Sequence, residues 1–303
     1  MTQGHTSHGK RSGSLEKRFT RALILNGGLA VVETVGGIIT GSSALLADGL
    51  MNTDDAAALI LSIYSERKTK QAPDERRTFG YRRMDTFAGF VKGCLLLVTS
   101  FLALLQALRL VLEPELISGL PVIIIGSIAL AVNLISAYWL KEDACCSLNA
   151  KGTYSCMKYD AYGSAAVVAS GILSFFVQTV LFDVAAAVMI AFFMARTGWG
   201  IFREGMGFFL QSSPEGFDYD KFEQAVVKVK GVTSVGDIHA WSLTADEHHL
   251  TCKVTVKIED VCDCEKIVSE VERMAKENFG IQHTTIQPVY SEQTLARFCK
   301  ATP

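Results

Sequence analysis

The sequence has almost no net charge and few histidines. Its 303 residues carry 29 Lys and Arg against 31 Asp and Glu, which leaves a net charge of −2. It also lacks a basic stripe with interleaved aromatic residues, so we do not expect a nucleic-acid partner. The 6 histidines all lie outside residues 9–238. A metal site in that long segment would therefore have to use other side chains.

Motifs of enzymes and of secretion are absent as well. The chain has no nucleotide-binding glycine loop, no H-E-x-x-H and no G-x-S-x-G, so we do not expect an enzyme. Residues 1–20 are polar and lack the apolar run and cleavage site of a signal peptide, and we interpret them as a cytosolic tail. The chain has 8 cysteines. The topology inferred below puts nearly all of them in the cytosol or the membrane, where structural disulfides are not expected.

Long apolar blocks dominate the chain from about residue 23 to residue 208. Each block has the roughly 20 residues that a helix needs to cross a bilayer. Charged residues return at ordinary density from residue 217 onward. We therefore divide the chain into an N-terminal tail (1–20), a transmembrane domain (21–211), a soluble domain (212–292) and a C-terminal tail (293–303). The predicted spans are 22–41, 43–64, 84–112, 120–140, 157–181 and 184–201.

Basic residues are concentrated on alternate connections between these spans. Residues 65–83 contain 7 Lys and Arg, and residues 141–158 contain 3 lysines. The connections 40–43, 113–119 and 182–183 are almost free of both. By the positive-inside rule the basic connections face the cytosol, so both termini are predicted to be cytosolic.

The soluble domain shows alternating periodicities. Residues 219–230 and 264–279 have the apolar spacing of amphipathic helices. Residues 249–258 alternate between apolar and polar side chains, as a half-buried strand does, with Cys252 on the apolar face. Residues 235–243 and 281–290 are also predicted strands. The order helix, strand, strand, helix, strand predicts a small α+β layer with its helices on one face of the sheet.

Two spans carry pairs of polar side chains at the same spacing. Asp48 and Asn52 are four residues apart in the second span, and Cys156 and Asp160 repeat that spacing at the start of the fifth. Residues four apart share one helix face, so two such helices can close a four-ligand site where they meet. Mixed sulfur and oxygen donors in a tetrahedron suit Zn²⁺. Alternatively, Asn52 forms an interhelical hydrogen bond and Cys156 is a small apolar filler.

Several ordered stretches resemble the cation diffusion facilitator family of metal transporters. The resemblance runs from about Phe19 to Tyr290. The stretches that carry it are VVETVGG at 31–37, SSALLADG at 42–49, TFGYRRMDT at 78–86, YDAYGS at 159–164, DIHAWS at 237–242 and HTTIQ at 283–287.

The resemblance implies a homodimer in a lipid membrane, with six spans per subunit and a ferredoxin-like cytosolic domain. It also implies exchange of a divalent metal ion for protons by alternating access. Carried onto this chain, the family's transport site corresponds to Asp48, Asn52, Cys156 and Asp160. In the cytosolic domain, His239 and His283 match positions that can bind metal in relatives. The Cys-x-Cys formed by Cys262 and Cys264 is a further candidate, with a metal-binding and a purely structural interpretation equally open.

This chain departs from the family pattern at three positions. Asn52 and Cys156 replace the usual Asp and His or Asp, and Arg77 stands where the family often has His. Asn52 is a neutral oxygen donor that suits harder ions such as Mn²⁺, whereas the thiolate of Cys156 favours Zn²⁺ or Cd²⁺. By resemblance we expect Zn²⁺ export across the cell membrane, with Mn²⁺, Fe²⁺ and Cd²⁺ as alternatives. The competing interpretation is a transport-inactive relative that acts as a metal sensor or assembly partner.

Overall fold

The structure is a computed structural model, and it describes residues 6–69, 71–115, 117–141, 148–244, 247–257 and 261–290. Side chains are not described for residues 6–20, 22, 62, 66, 85, 140, 148–156, 261 and 262. The chain forms two compact units. The first contains the chain up to Arg67 together with Ala88–Arg203, and the second contains Lys68–Phe87 together with the chain from Glu204 onward.

Six long helices carry the predicted membrane spans. Five of them contain apolar stretches of 18 to 29 residues, long enough to cross a bilayer. The remaining helix, α2, is 27 residues long but carries Asp48, Asp54 and Asp55. These helices confirm the predicted polytopic α-helical fold, although the first and fifth begin earlier than the predicted spans. They are α1 (Thr6–Thr40), α2 (Ser43–Thr69), α3 (Arg83–Leu112), α4 (Gly119–Lys141), α5 (Leu148–Val177) and α6 (Leu181–Phe209).

The start of α2 is fixed by side-chain caps. Ser42 is the cap residue, and its Oγ accepts a hydrogen bond of 3.1 Å from the Leu45 N–H. Asp183, which is buried in the first turn of α6, accepts from the Ala44 N–H at 3.1 Å and from the Ser42 hydroxyl. These bonds satisfy amide groups that have no partner within the helix. They tie the first turn of α2 to the first turn of α6.

Two glycines allow α2 to lie very close to its neighbours. A Cβ atom on Gly49 would lie 2.6 Å from the backbone nitrogen of Thr34 in α1. A Cβ atom on Gly163 in α5 would lie 2.6 Å from the Asp48 Oδ1 atom. Both distances are below van der Waals contact, so a larger residue would push the helices or the Asp48 side chain aside. Glycine at these positions therefore sets the distance from α2 to α1 and α5.

The second unit has the predicted order of helices and strands. Strand β1 pairs with β2 in the antiparallel sense, and β2 pairs with β3 in parallel, which gives the sheet order β1-β2-β3. Helix α7 begins at an Asp218 cap, whose carboxylate accepts from the Lys221 N–H at 3.1 Å. The elements are α7 (Tyr219–Val227), β1 (Val232–Thr244), β2 (Glu247–Val256), α8 (Val261–Phe279) and β3 (His283–Tyr290).

Both helices of the second unit share one core with the sheet. Phe222 from α7 and Val271 from α8 are fully buried against Leu250 and Val254 of β2. The helices therefore cover the same face of the sheet, as expected for a ferredoxin-like α+β domain, and the predicted fold class is confirmed. Cys252 lies in this core, where burial raises the pKa of its thiol to about 11. Its thiol is therefore protonated at neutral pH.

We predict that Phe222→Ala loosens the second unit. Phe222 has no exposed surface and its ring packs edge-on against Phe279 at 5.2 Å. Removing a buried aromatic ring costs on the order of 3 kcal/mol of stability. Hydrogen exchange of the β2 amides in the full-length protein should therefore accelerate strongly. Val227→Ala, at an exposed position of the same helix, serves as the control. Equal exchange rates in the two variants would contradict this assignment of the core.

Candidate metal centre

The Asp48 side chain of α2 is held by a short chain of hydrogen bonds. The Ser164 hydroxyl of α5 donates to Asp48 Oδ2 at 2.7 Å, and the Asn133 amide of α4 donates to Ser164 Oγ at 3.1 Å. All three residues are fully buried. The second oxygen of Asp48 has no hydrogen-bond donor among the described residues. Three helices thus orient this carboxylate and leave one of its oxygens available.

Asn52 lies one turn further along the same face of α2. Its Nδ2 atom donates to Glu33 Oε2 in α1 at 2.6 Å, and its Oδ1 atom accepts no hydrogen bond from the described residues. The hydrogen bond fixes the amide with its oxygen free, which is the orientation that a cation needs. The Glu33 carboxyl group also lies within hydrogen-bonding reach of Asp48. Two carboxyl groups so close together must share a proton or a cation.

Asp160 of α5 is fully buried and is the least satisfied of these carboxylates. Neither of its oxygens accepts a hydrogen bond from a donor among the described residues. Its electrostatic neighbours are the carboxyl groups of Asp55 and Asp48 and the ammonium group of Lys92. An ionised carboxylate in an apolar interior is unfavourable by many kcal/mol unless positive charge compensates it. Asp160 therefore marks a place where a cation or protons are required.

Cys156 precedes Asp160 by one turn of α5, but its side chain lies outside the described part of the structure. The structure brings Asp48, Asn52 and Asp160 into one buried region of the helix bundle. Carboxylate and amide oxygens are of the chemical kind that binds divalent cations. Assignment of all four predicted residues as ligands stays a prediction.

A second group of metal-binding side chains lies in the second unit. Ligand atoms of Glu247, His249 and His283 lie within 4.8 Å of one another, the one such group found among the described residues. The parallel register of β2 and β3 pairs His249 directly with His283, and their rings stack with centroids 4.7 Å apart. Both imidazole Nε2 atoms lie 3.3 Å from Glu247 Oε1. A carboxylate and two imidazoles are ordinary ligands of Zn²⁺.

At Glu247 and His249 the surroundings favour the protonation states that metal binding requires. Burial lowers the pKa of His249, which favours its neutral form at pH 7. Partial burial opposes ionisation of Glu247, but hydrogen bonds from Arg82 and His249 outweigh it and lower the pKa of the carboxyl group. A neutral imidazole and an ionised carboxylate are ready to bind a metal ion.

Two other predicted ligands of this unit, His239 and Cys264, lie elsewhere. His239 is exposed and pairs with Asp237, with 2.9 Å between His239 Nε2 and Asp237 Oδ1. Cys264 packs in the hydrophobic core, and the Cys262 side chain lies outside the described residues. Sequence reasoning did not select Glu247 or His249 as ligands. The available signal was the E-H-H triplet at the start of a strand, but only the register with β3 connects it to His283.

Sequence models of known families match both units of the chain. The cation efflux transmembrane domain matches residues 19–208, and the cytoplasmic domain of cation efflux proteins matches residues 214–288. The chain therefore belongs to the cation efflux family of integral membrane proteins, and the predicted family is confirmed.

Relatives align over nearly the whole chain. The cation efflux system protein CzcD of Alcaligenes sp. (strain CT14) is 31% identical, with 95% of this chain and 90% of the relative covered. The cadmium, cobalt and zinc/H(+)-K(+) antiporter of Bacillus subtilis is 25% identical, with 92% and 91% covered. The zinc transporter ZitB of Escherichia coli is 24% identical, with 95% and 92% covered.

We predict that Gly163→Ala weakens metal binding in the helix bundle. The added methyl group would lie 2.6 Å from Asp48 Oδ1 and would displace that carboxylate. Calorimetry with Zn²⁺ should show a loss of affinity of about tenfold or more, equal to about 1.4 kcal/mol. Both proteins should carry His249→Ala and His283→Ala, so that the second group of ligands does not contribute.

Gly200→Ala is the matched control, because a Cβ atom there would meet no other atom within 4 Å. Unchanged affinity in Gly163→Ala, with the protein folded, would show that Asp48 does not bind the metal ion.

Proposed function

We propose that this protein exports a divalent transition-metal cation, with Zn²⁺ as the first candidate, in exchange for protons. The observation that carries the proposal is the pair of buried carboxylates, Asp48 and Asp160, whose oxygens include three without a donor among the described residues. Membership in the cation efflux family supports export. The names of the relatives, which include zinc, cadmium and cobalt, support the choice of metal.

In this proposal Asp48 and Asp160 bind the ion with their carboxylates, and Asn52 contributes its amide oxygen. Cys156, which precedes Asp160 by one helical turn, contributes a thiolate. A set of ligands with moderate affinity for the ion suits transport, because the ion must also be released. Glu33 orients Asn52 through the 2.6 Å hydrogen bond and adds negative charge beside Asp48.

Proton exchange follows from the same side chains. A metal ion binds only deprotonated carboxylates and thiolate, so entry of the ion expels protons and its departure allows them to return. Residues 9–238 contain no histidine. The protons must therefore be carried by Asp48, Asp160 and Cys156, with Glu33 beside them.

The remaining parts of the proposal concern the setting. We place the protein in the plasma membrane. Both termini lie in the cytosol in this proposal, because the positive-inside rule puts the basic connections on the cytosolic side. The working unit is a homodimer, as the resemblance implies. The group formed by Glu247, His249 and His283 binds a second ion of the same metal on the cytosolic side, since its three ligand atoms already converge.

A second candidate function is that of a metal sensor or assembly partner that does not transport. The replacements at Asn52, Cys156 and Arg77 favour it, and the ligand group of the second unit would serve a sensor. The carboxyl groups of Asp48 and Asp160 weigh against it, because a protein that moves no ion has no need of such groups without donors in its membrane part.

We predict that the wild type takes up metal into inside-out proteoliposomes and that Asp160→Asn abolishes uptake. The substitution removes a charge that the ion requires. Uptake should be measured for Zn²⁺, Cd²⁺, Mn²⁺, Fe²⁺ and Co²⁺ with a pH-sensitive dye enclosed. Asp220→Asn, at an exposed position of α7, is the control. Metal uptake without proton movement would contradict the exchange mechanism. No uptake of any metal by the folded protein would favour the sensor.

We also predict that His283→Ala removes one bound metal ion per chain. The side chain supplies one of three converging ligands, and two remaining ligands hold Zn²⁺ far less tightly. Equilibrium dialysis with Zn²⁺ should show the stoichiometry fall by one relative to the wild type. His239→Ala is the control, since His239 lies apart from this group. Equal stoichiometry in wild type and His283→Ala would rule out a metal site there.

A further inference from the structure

A lysine lies inside the apolar stretch of α3, next to the candidate transport site. Lys92 is six residues into the stretch Thr86–Leu112. Its ammonium group lies 2.9 Å from Asp55 Oδ1, and the two side chains are only 21% and 10% exposed. A lysine near the end of a span usually extends toward the membrane surface. Lys92 instead pairs with a carboxylate of α2.

Asp55 connects this ion pair to the metal-binding residues. It lies two turns beyond Asp48 on α2, and its carboxyl group is a direct neighbour of the Asp160 carboxyl group. Lys92 itself acts electrostatically on Asp160 and on Asp54, whose carboxylate accepts a hydrogen bond from Thr99. The ammonium group therefore sits among the same negative charges that would attract a metal ion.

The charges at this place cannot all be satisfied at once. Without metal, the ammonium group of Lys92 compensates the Asp55 carboxylate, and protons neutralise Asp160. When a divalent ion binds Asp160, two cations lie close together in a poorly hydrated region and repel each other. Charges a few ångströms apart in such a region interact far more strongly than in water. Lys92 and the metal ion thus compete for the same carboxylates.

We propose that Lys92 is a built-in counter-cation of the transport site, which compensates Asp55 when no metal is bound and, by repelling the metal ion, weakens metal binding enough for release. This inference rests on the proposed transport function. Lys92 is a positioning residue, since it acts on the metal ion through the carboxylates and does not bind the ion. It explains how a site with several buried carboxylates both captures an ion and returns to an empty state.

The test is the kinetics of Zn²⁺ uptake into inside-out proteoliposomes containing the full-length protein. Lys92→Gln removes the competing charge, so KM should fall about tenfold, and kcat should fall because release slows. Lys92→Arg keeps the charge and should restore both constants toward wild-type values. Arg196→Gln, which removes an exposed cation from α6, is the control and should change neither constant.

A variant that removes the carboxylate of the ion pair, instead of the lysine, tests the inference independently. In Asp55→Asn the ammonium group loses the Asp55 carboxylate and the site loses a negative charge, so KM should rise. Adding Lys92→Gln to Asp55→Asn should bring KM back down. If the pair only stabilised the fold, Lys92→Gln would reduce the amount of folded protein and leave KM unchanged. An unchanged or increased KM in Lys92→Gln overturns the inference.

A failure of the proposed transport function can be distinguished from a failure of the inference about Lys92. If the wild type takes up no metal, calorimetry with Zn²⁺ still tests Lys92 in a protein that carries His249→Ala and His283→Ala. Tighter binding in Lys92→Gln than in the parent would support the competition even though transport is refuted. Equal or weaker binding there would overturn it. Should Lys92→Gln not fold, the double variant Asp55→Asn/Lys92→Gln is compared with Asp55→Asn. Tighter Zn²⁺ binding in the double variant supports competition by the ammonium group, and equal or weaker binding overturns it.

Discussion

The need to compensate buried carboxylates is the constraint on which the membrane part of this protein depends. Asp48 and Asp160 are fully buried and retain oxygens without donors among the described residues. In a bilayer such groups are tolerated only where protons, a partner side chain or a metal ion can neutralise them. In the proposed mechanism these carboxylates are neutralised in turn by protons, by a partner side chain and by the metal ion. In this mechanism the site is stable in either state through exchange of one positive charge for another.

The rest of the helix bundle holds these carboxylates in place. Gly49 and Gly163 let α2 approach α1 and α5, and the Ser42 and Asp183 cap fixes the first turn of α2. The Ser164 hydroxyl then orients Asp48. These contacts come from four different helices, so a change in the packing of any of them would move the ligands. This arrangement suits a transporter, in which helix motion alters the site.

Much of this architecture could be predicted from residue patterns, because it depends on local rules. Span length and periodicity located the helices and the α+β order, and the spacing of Asp48 with Asn52 and of Cys156 with Asp160 indicated a shared face. Glu33, Ser164 and Lys92 could not be assigned partners in this way, since their roles depend on how each helix is rotated against its neighbours. Likewise, His249 and His283 lie 34 residues apart and meet only through the β2–β3 register.

The central claim is that the transported ion is bound by carboxylate, amide and thiolate groups of α2 and α5 and by no histidine. The most direct test is X-ray absorption at the zinc edge on full-length protein that carries His249→Ala and His283→Ala and one equivalent of Zn²⁺. The account predicts a spectrum of oxygen ligands with one sulfur at about 2.3 Å and no imidazole scattering. A spectrum dominated by imidazole, or failure of this protein to bind Zn²⁺, would contradict it.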